Sequence, residues 1–247
     1  MRYPGYLGTV AVMLSRDSVR RVDFGYFIRP AQETGTGQPR VEPLVGYLVA
    51  QPDGWLLFDS GMGAGQADLE AHYRPRRREL GLALRSCGLS LDDVRWVVNC
   101  HLHFDHCGGN PQLAGLPVYV QAAELADARA VDSYTLPELV DFPGARYEEL
   151  PGEAEILPGV WVIPTPGHTT GHQSLAVRCG DGTLILAGQA HDSATGFTAD
   201  QLARRAQQDG ATAPLPAVSP WLDRLLEFDP ARVCFAHDLA VWEPVPS

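Results

Sequence analysis

Residues 101–106 read His-Leu-His-Phe-Asp-His and run directly into Cys107-Gly108-Gly109-Asn110. Four side chains able to ligate a metal fall within six residues of a chain that holds eight histidines in all. If His101 ends a strand, alternation points His101, His103 and Asp105 towards one side. A turn released by the two glycines then lets His106 swing round beside Asp105. Imidazole and carboxylate donors suit Zn2+, and also Fe2+, Mn2+ or Co2+. One or two such ions need donors from elsewhere, so the fold must carry distant segments to this loop.

Two segments qualify. His168 stands in Thr165-Pro166-Gly167-His168-Thr169-Thr170-Gly171-His172, a Pro-Gly turn that follows the apolar run 160–164. His237 follows the run 232–236 in Phe235-Ala236-His237-Asp238. His172 reads as a capping or supporting residue and His72 as surface. Cys107 reads as packing, and Cys100 is expected to point away from the metal.

The pattern along the chain predicts an α/β fold, an αββα sandwich in one domain over 1–247. Runs at 45–50 and 55–58 flank Pro52-Asp53-Gly54 as a β-hairpin, and 95–100 is a β-rich strand leading to His101. Further strands are expected at 118–121, 160–164, 174–178, 183–187 and 232–236. Helices are expected at 67–87, interrupted at Pro75, and at 121–130, 199–208 and 220–228. This alternation, with Gly-rich turns after apolar strands in both halves, suits two sheets sandwiched between helices.

The formal charge of −11 disfavours nucleic acid and anionic membrane surfaces as partners. The one basic run, Arg74-Pro75-Arg76-Arg77-Arg78, reads as a solvated face. All 19 basic residues are arginine, so Schiff-base chemistry on lysine is excluded. Five cysteines, none in a Cys-x-x-Cys pair, argue against a disulfide framework. No window matches a membrane helix. Residues 1–22 carry Arg16, Asp17, Arg20 and Arg21 among their apolar residues, unlike a secretory signal, so a cytoplasmic location is expected.

With these residues laid out, the chain resembles the metallo-β-lactamase-fold superfamily, whose His-x-His-x-Asp-His motif is matched by 101–106. Within it the chain is most similar to the N-acyl-homoserine lactone hydrolases. The likeness rests on the blocks at 101–110 and 165–175, on Phe235-Ala236-His237-Asp238, and on a Phe58-Asp59-Ser60-Gly61 turn in which Asp59 would support a ligand. It spans roughly 44–238. The resemblance implies one metal held by His101, His103 and His168 and a second held by Asp105, His106 and His237. A hydroxide between them would attack the carbonyl of a small-molecule lactone, ester or thioester, with Asp105 orienting it.

Two positions depart from the family pattern. Where the family has a bridging Asp, this chain has Gln189, which contributes a dipole instead of a charge. Three residues on, where lactonases have a Tyr, stands Asp192; either it or His191 is expected to act as the acid for the leaving group, with His191 also open as a replacement ligand. A mononuclear Fe2+ oxidoreductase on the same fold, or a non-catalytic metal- or ligand-binding protein, are the alternatives.

Overall fold

The computed structural model describes residues 14–244. Most of the segment 1–22 that was read for targeting, and the last residues of the expected 1–247 domain, therefore lie outside the described residues. Strands β1 (Val19–Arg29), β2 (Arg40–Gln51), β3 (Gly54–Phe58), β4 (Arg76–Arg77), β5 (Val94–Val98), β6 (Pro117–Gln121) and β7 (Arg146–Leu150) form one sheet, in the order β4-β1-β2-β3-β5-β6-β7. Strands β8 (Ala154–Leu157), β9 (Val160–Pro164), β10 (Gln173–Cys179), β11 (Gly182–Leu186) and β12 (Pro230–Cys234) form a second, in the order β12-β11-β10-β9-β8. The helices are α1 (Ala67–Tyr73), α2 (Leu80–Ser86), α3 (Ala122–Ala130), α4 (Pro137–Val140), α5 (Ala194–Gln208) and α6 (Leu222–Leu226).

Strand alternation sorts the apolar residues into three layers. On β2, Leu44 and Leu48 face Leu80, Ala83 and Leu84 of α2, while Val45, Tyr47 and Val49 face the other sheet. On β10, Leu175 and Val177 meet that inter-sheet layer, and Ala176 packs outward with Phe197 of α5 and Leu222 and Leu225 of α6. Helix–sheet, sheet–sheet and sheet–helix interfaces follow in turn, which is the αββα sandwich expected from the sequence.

Local differences have identifiable causes. The expected interrupted helix 67–87 splits into α1 and α2, because Arg74 takes a left-handed conformation (φ 46°) ahead of Pro75. Arg76 and Arg77 then form an edge strand on β1 instead of a solvated loop face. The hairpin strand expected at 45–50 runs on to Arg40–Gln51, and the eleven-residue β1 was not anticipated from its arginine-rich sequence. No helix among the described residues is long and apolar enough to cross a membrane.

Candidate metal centre

Strand β5 stops at Val98, so it is not strand alternation that aims His101, His103 and Asp105. The loop after it turns at once: the amides of His106 and Cys107 both bond the carbonyl of His103, at 3.0 and 3.2 Å. That turn parts the motif into two groups. His101 and His103 join His168 from the loop after β9, while Asp105 and His106 join His237 from beyond β12, each trio within ligating distance of one another.

Gly108 and Gly109 serve this loop in a different way from the one expected. Gly109 has φ −89° and neither residue takes a positive φ, so the turn needs no special backbone freedom there. A Cβ at Gly108 would lie 2.0 Å from the amide nitrogen of Gly63, and one at Gly109 would lie 2.6 Å from the carbonyl oxygen of Ser60. The glycines let the loop press against the chain after β3, where the Gly108 amide bonds the Gly61 carbonyl at 2.7 Å.

The donors fit a divalent ion in each trio. His103 Nδ1 and His168 Nε2 stand 3.2 Å apart, as do His106 Nε2 and His237 Nε2. Two nitrogens on one tetrahedral ion, each at about 2.0–2.1 Å, are separated by about 3.3 Å. His101 Nε2 is fully buried and has no hydrogen-bond partner among the described residues, which is costly unless an ion receives its lone pair. Burial, together with the neighbouring imidazoles, lowers His101 far below the usual histidine range and brings His168 down to about 3. Both are therefore neutral donors at physiological pH. Against its burial, His106 and His237 hold the Asp105 carboxyl well below its ordinary range.

Behind the donors lies a layer that orients them. Asp59, at φ 61°, accepts from the Cys100 amide at 2.8 Å and from His106 Nδ1 at 3.0 Å. His237 Nδ1 bonds the Pro43 carbonyl at 3.0 Å, which leaves Nε2 for the site. His172 bonds Thr165 through Nδ1 and accepts the Gln189 amide through Nε2, the supporting role expected of it. Cys107 packs, with its Sγ 3.4 Å from the Leu102 carbonyl.

Cys100 departs from the expectation that it points away. Its Sγ lies 3.0 Å from Asp59 Oδ2, 3.1 Å from His101 Nδ1 and 3.3 Å from His106 Nδ1. Burial and the Asp59 charge push its thiol far up, so it donates as a neutral S–H from behind the imidazoles.

The two residues expected as candidates for the leaving-group acid are both engaged in ion pairs or hydrogen bonds of their own. His191 Nε2 bonds Asp200 at 3.0 Å and its ring packs on Trp221 and Phe197, and it belongs to neither donor trio. Asp192, an exposed side chain, pairs with Arg40 at 3.1 Å, and Arg29, Arg40 and Gln189 hold it below the ordinary carboxylate range against the cost of desolvation. Gln189 lines a cavity of about 160 Å³ with His103, Asp105 and His168, and its side-chain amide reaches Asp192 at 3.4 Å.

Several residues of the site escaped the sequence reading. Glu124, at the start of α3, is buried and accepts from the Leu102 amide (2.7 Å), the Tyr134 hydroxyl (2.5 Å) and the Thr169 hydroxyl (2.7 Å). It thereby ties the loop between His101 and His103 to the loop that bears His168. Tyr134 lies against the His103 ring at 4.8 Å between centroids. Phe27, Arg29, Tyr73 and Phe104 complete the walls of the 160 Å³ cavity.

The two donor sets meet at the ends of strands from both sheets, an arrangement that could hold divalent metal ions between the layers of the αββα sandwich. The chain belongs to the metallo-beta-lactamase superfamily, whose model matches residues 42–237. A Bacillus N-acyl homoserine lactonase is 33% identical over 148 residues, which cover 55% of this chain and 58% of that protein, so under two thirds of its length is matched. An N-acyl homoserine lactonase of Rhizobium johnstonii is 28% identical over 231 residues, covering 84% of this chain and 86% of that one. Among solved structures, an N-acyl homoserine lactone hydrolase with the product N-hexanoyl-L-homoserine at its catalytic metal centre superposes with a TM-score of 0.73. That pair is 23% identical and covers 92% and 95% of the two chains, a likeness of fold.

Proposed function

We propose that this chain is a divalent-metal-dependent hydrolase that opens a lactone ring or cleaves a closely related small ester or thioester, with Zn2+ as its resident ion. The observation that carries the reading is the pair of donor trios, His101–His103–His168 and Asp105–His106–His237, meeting at one cavity. Relatives that are N-acyl homoserine lactonases support the substrate class. When bound, such ions lower the pKa of a coordinated water from 15.7 towards about 7 and polarise a carbonyl oxygen. The chain's own residues do the rest. His101, His103 and His168 offer neutral imidazoles, and Asp105 adds a carboxylate where the cavity and the second trio meet. Phe27, Tyr73 and Phe104 offer a bound substrate aromatic surface on the cavity wall.

A test uses protein stripped with chelator and reloaded with Zn2+, Mn2+, Fe2+ or Co2+. Proton release is followed by pH-stat on acyl-homoserine lactones, simple γ- and δ-lactones, aryl esters and thioesters, with oxygen uptake monitored in parallel. Ring opening that vanishes on stripping and returns on reloading supports the reading. Oxygen uptake without hydrolysis would replace it with the iron oxidoreductase.

A further inference from the structure

Arg29 brings a positive charge to the wall of the 160 Å³ cavity that His103, Asp105 and His168 share. Its Nε donates to Glu42 at 2.7 Å, and Glu42 is itself only 2% exposed. The same Glu42 oxygen also receives Arg40, which reaches on to Asp192. The guanidinium is thus fixed from one edge by a buried carboxylate. Neither terminal nitrogen makes a hydrogen bond among the described residues; the nearest acid on that side is Glu33, 3.9 Å from Nη1. A half-satisfied, preorganised guanidinium beside a cavity is a fork for a planar anion.

The rest of the wall points the same way. Apart from Asp105, which belongs to a donor trio, no carboxylate lines this cavity, and position 189 presents a neutral amide. The Tyr73 hydroxyl is committed to Glu33, at 3.2 Å, and Phe27 and Phe104 are apolar. Arg29 is the one cation of the wall; its charge is shared by Glu42, Glu33, Asp192 and Asp105, and the edge carrying its terminal nitrogens is the one without a hydrogen-bonded carboxylate.

From this geometry we infer that the natural substrate is anionic: a small lactone or ester bearing a carboxylate, which Arg29 receives while the carbonyl lies towards the donor trios. This deepens the hydrolase reading and rests on it. It also sets the chain apart from enzymes of neutral lactones, whose substrates offer a guanidinium nothing to neutralise. Recognition involves no bond change; Arg29 binds and orients.

The test compares 5-oxotetrahydrofuran-3-carboxylate with its methyl ester, two lactones of nearly one shape that differ in charge. For metal-loaded protein we expect the acid to exceed the ester at least 10-fold in kcat/KM, mainly through KM, with the preference eroding as ionic strength rises. Arg29→Gln should bring the ratio near unity, and Arg29→Lys should keep part of it. A wild-type ratio at or below one, or a preference that survives in folded Arg29→Gln, overturns the inference. If neither lactone is opened, calorimetry with the same two compounds decides. Selective binding of the acid that depends on Arg29 upholds the inference while the hydrolase reading falls, and binding without preference overturns it. Hydrolysis of neutral lactones with no preference for the acid leaves the hydrolase reading standing alone. Should Arg29→Gln fail to fold, the wild-type ratio and its salt dependence, with Arg29→Lys, decide.

Discussion

The Asp59 carboxylate accepts a hydrogen bond from His106 Nδ1 at 3.0 Å, and Nε2 of the same ring faces His237 Nε2 at 3.2 Å. One contact fixes both the tautomer and the direction in which the ring offers its other nitrogen. Removing the Asp59 charge should therefore weaken the Asp105–His106–His237 trio and spare the other. Asp59→Asn is expected to lower metal affinity at that trio about 10- to 100-fold, measured by chelator competition. Equal weakening of both trios would point to a general loss of structure.

Glu124 holds three donors from three segments without touching a candidate metal position. Glu124→Ala strands the Leu102 amide and two hydroxyls, each buried unpaired donor costing about 1–3 kcal/mol. A loss of about 3 kcal/mol is expected after relaxation. Glu124→Gln keeps the shape and an acceptor oxygen, and should lose about half as much. Denaturant unfolding of stripped protein measures both, and a loss below about 1 kcal/mol for Glu124→Ala would contradict the bracing role.

The metal-free protein should become less stable as the solution is acidified. In the unfolded chain each histidine takes up a proton as pH falls through about 6.5. Folded, His101 and His172 stay neutral, mainly because they are buried and also because other imidazoles surround them. The unfolded state then binds more protons, so stability falls with pH below about 6.5, by up to about 1.4 kcal/mol per pH unit for each such group. His106 offsets part of this: against its burial, Cys100, Asp105 and Asp59 raise it. Denaturation of stripped protein at about pH 7.5 and 5.5 should differ by roughly 2 kcal/mol in favour of the higher pH. A flat or reversed dependence would contradict neutral burial of these rings.

The contiguous motif at 101–106 made the donor-rich loop legible in the sequence, and apolar runs ahead of His168 and His237 marked where partners would come from. The four-layer αββα fold was legible for the same reason, since the apolar runs alternate as the sheets require. What could not be read depends on contacts distant in sequence. Glu124 in Ala-Ala-Glu-Leu looks like a solvent-facing helix residue until Gly171 packs on its backbone, where a Cβ would lie 2.3 Å from the Glu124 nitrogen. Arg29 ends a strand whose sequence, Val-Arg-Arg-Val-Asp-Phe-Gly-Tyr-Phe-Ile-Arg, alternates poorly, and its role appears only once Glu42 and Gln189 are placed beside it. Local spacing also mistook close packing at Gly108 for backbone freedom.

Gln189 is expected to make the two trios unequal. With a carboxylate absent there, two divalent ions keep a larger net charge. Two unit charges at 4 Å interact by about 4 kcal/mol at an effective dielectric of about 20, and dications repel more strongly. Dialysed protein is expected to keep clearly fewer than two ions per chain, with the His101–His103–His168 trio filled first. Gln189→Asp should raise occupancy of the other trio, and elemental analysis before and after mild chelation reads the change. Two ions retained by wild type through that treatment would mean that another residue supplies the missing ligand.

Ring opening by this chain is proposed to depend on an ion held by these two trios. The most direct test titrates Co2+ into stripped wild type, His103→Ala and Asp105→Asn, recording the visible absorption of bound cobalt and lactone hydrolysis on the same samples. In wild type, absorption and hydrolysis should rise together from a zero baseline. His103→Ala should lose the tight-binding component and at least about 100-fold of the hydrolysis, and Asp105→Asn should lose hydrolysis while still binding cobalt at the intact trio. Lactone hydrolysis at the wild-type rate in stripped protein, or undiminished in His103→Ala, would contradict that dependence.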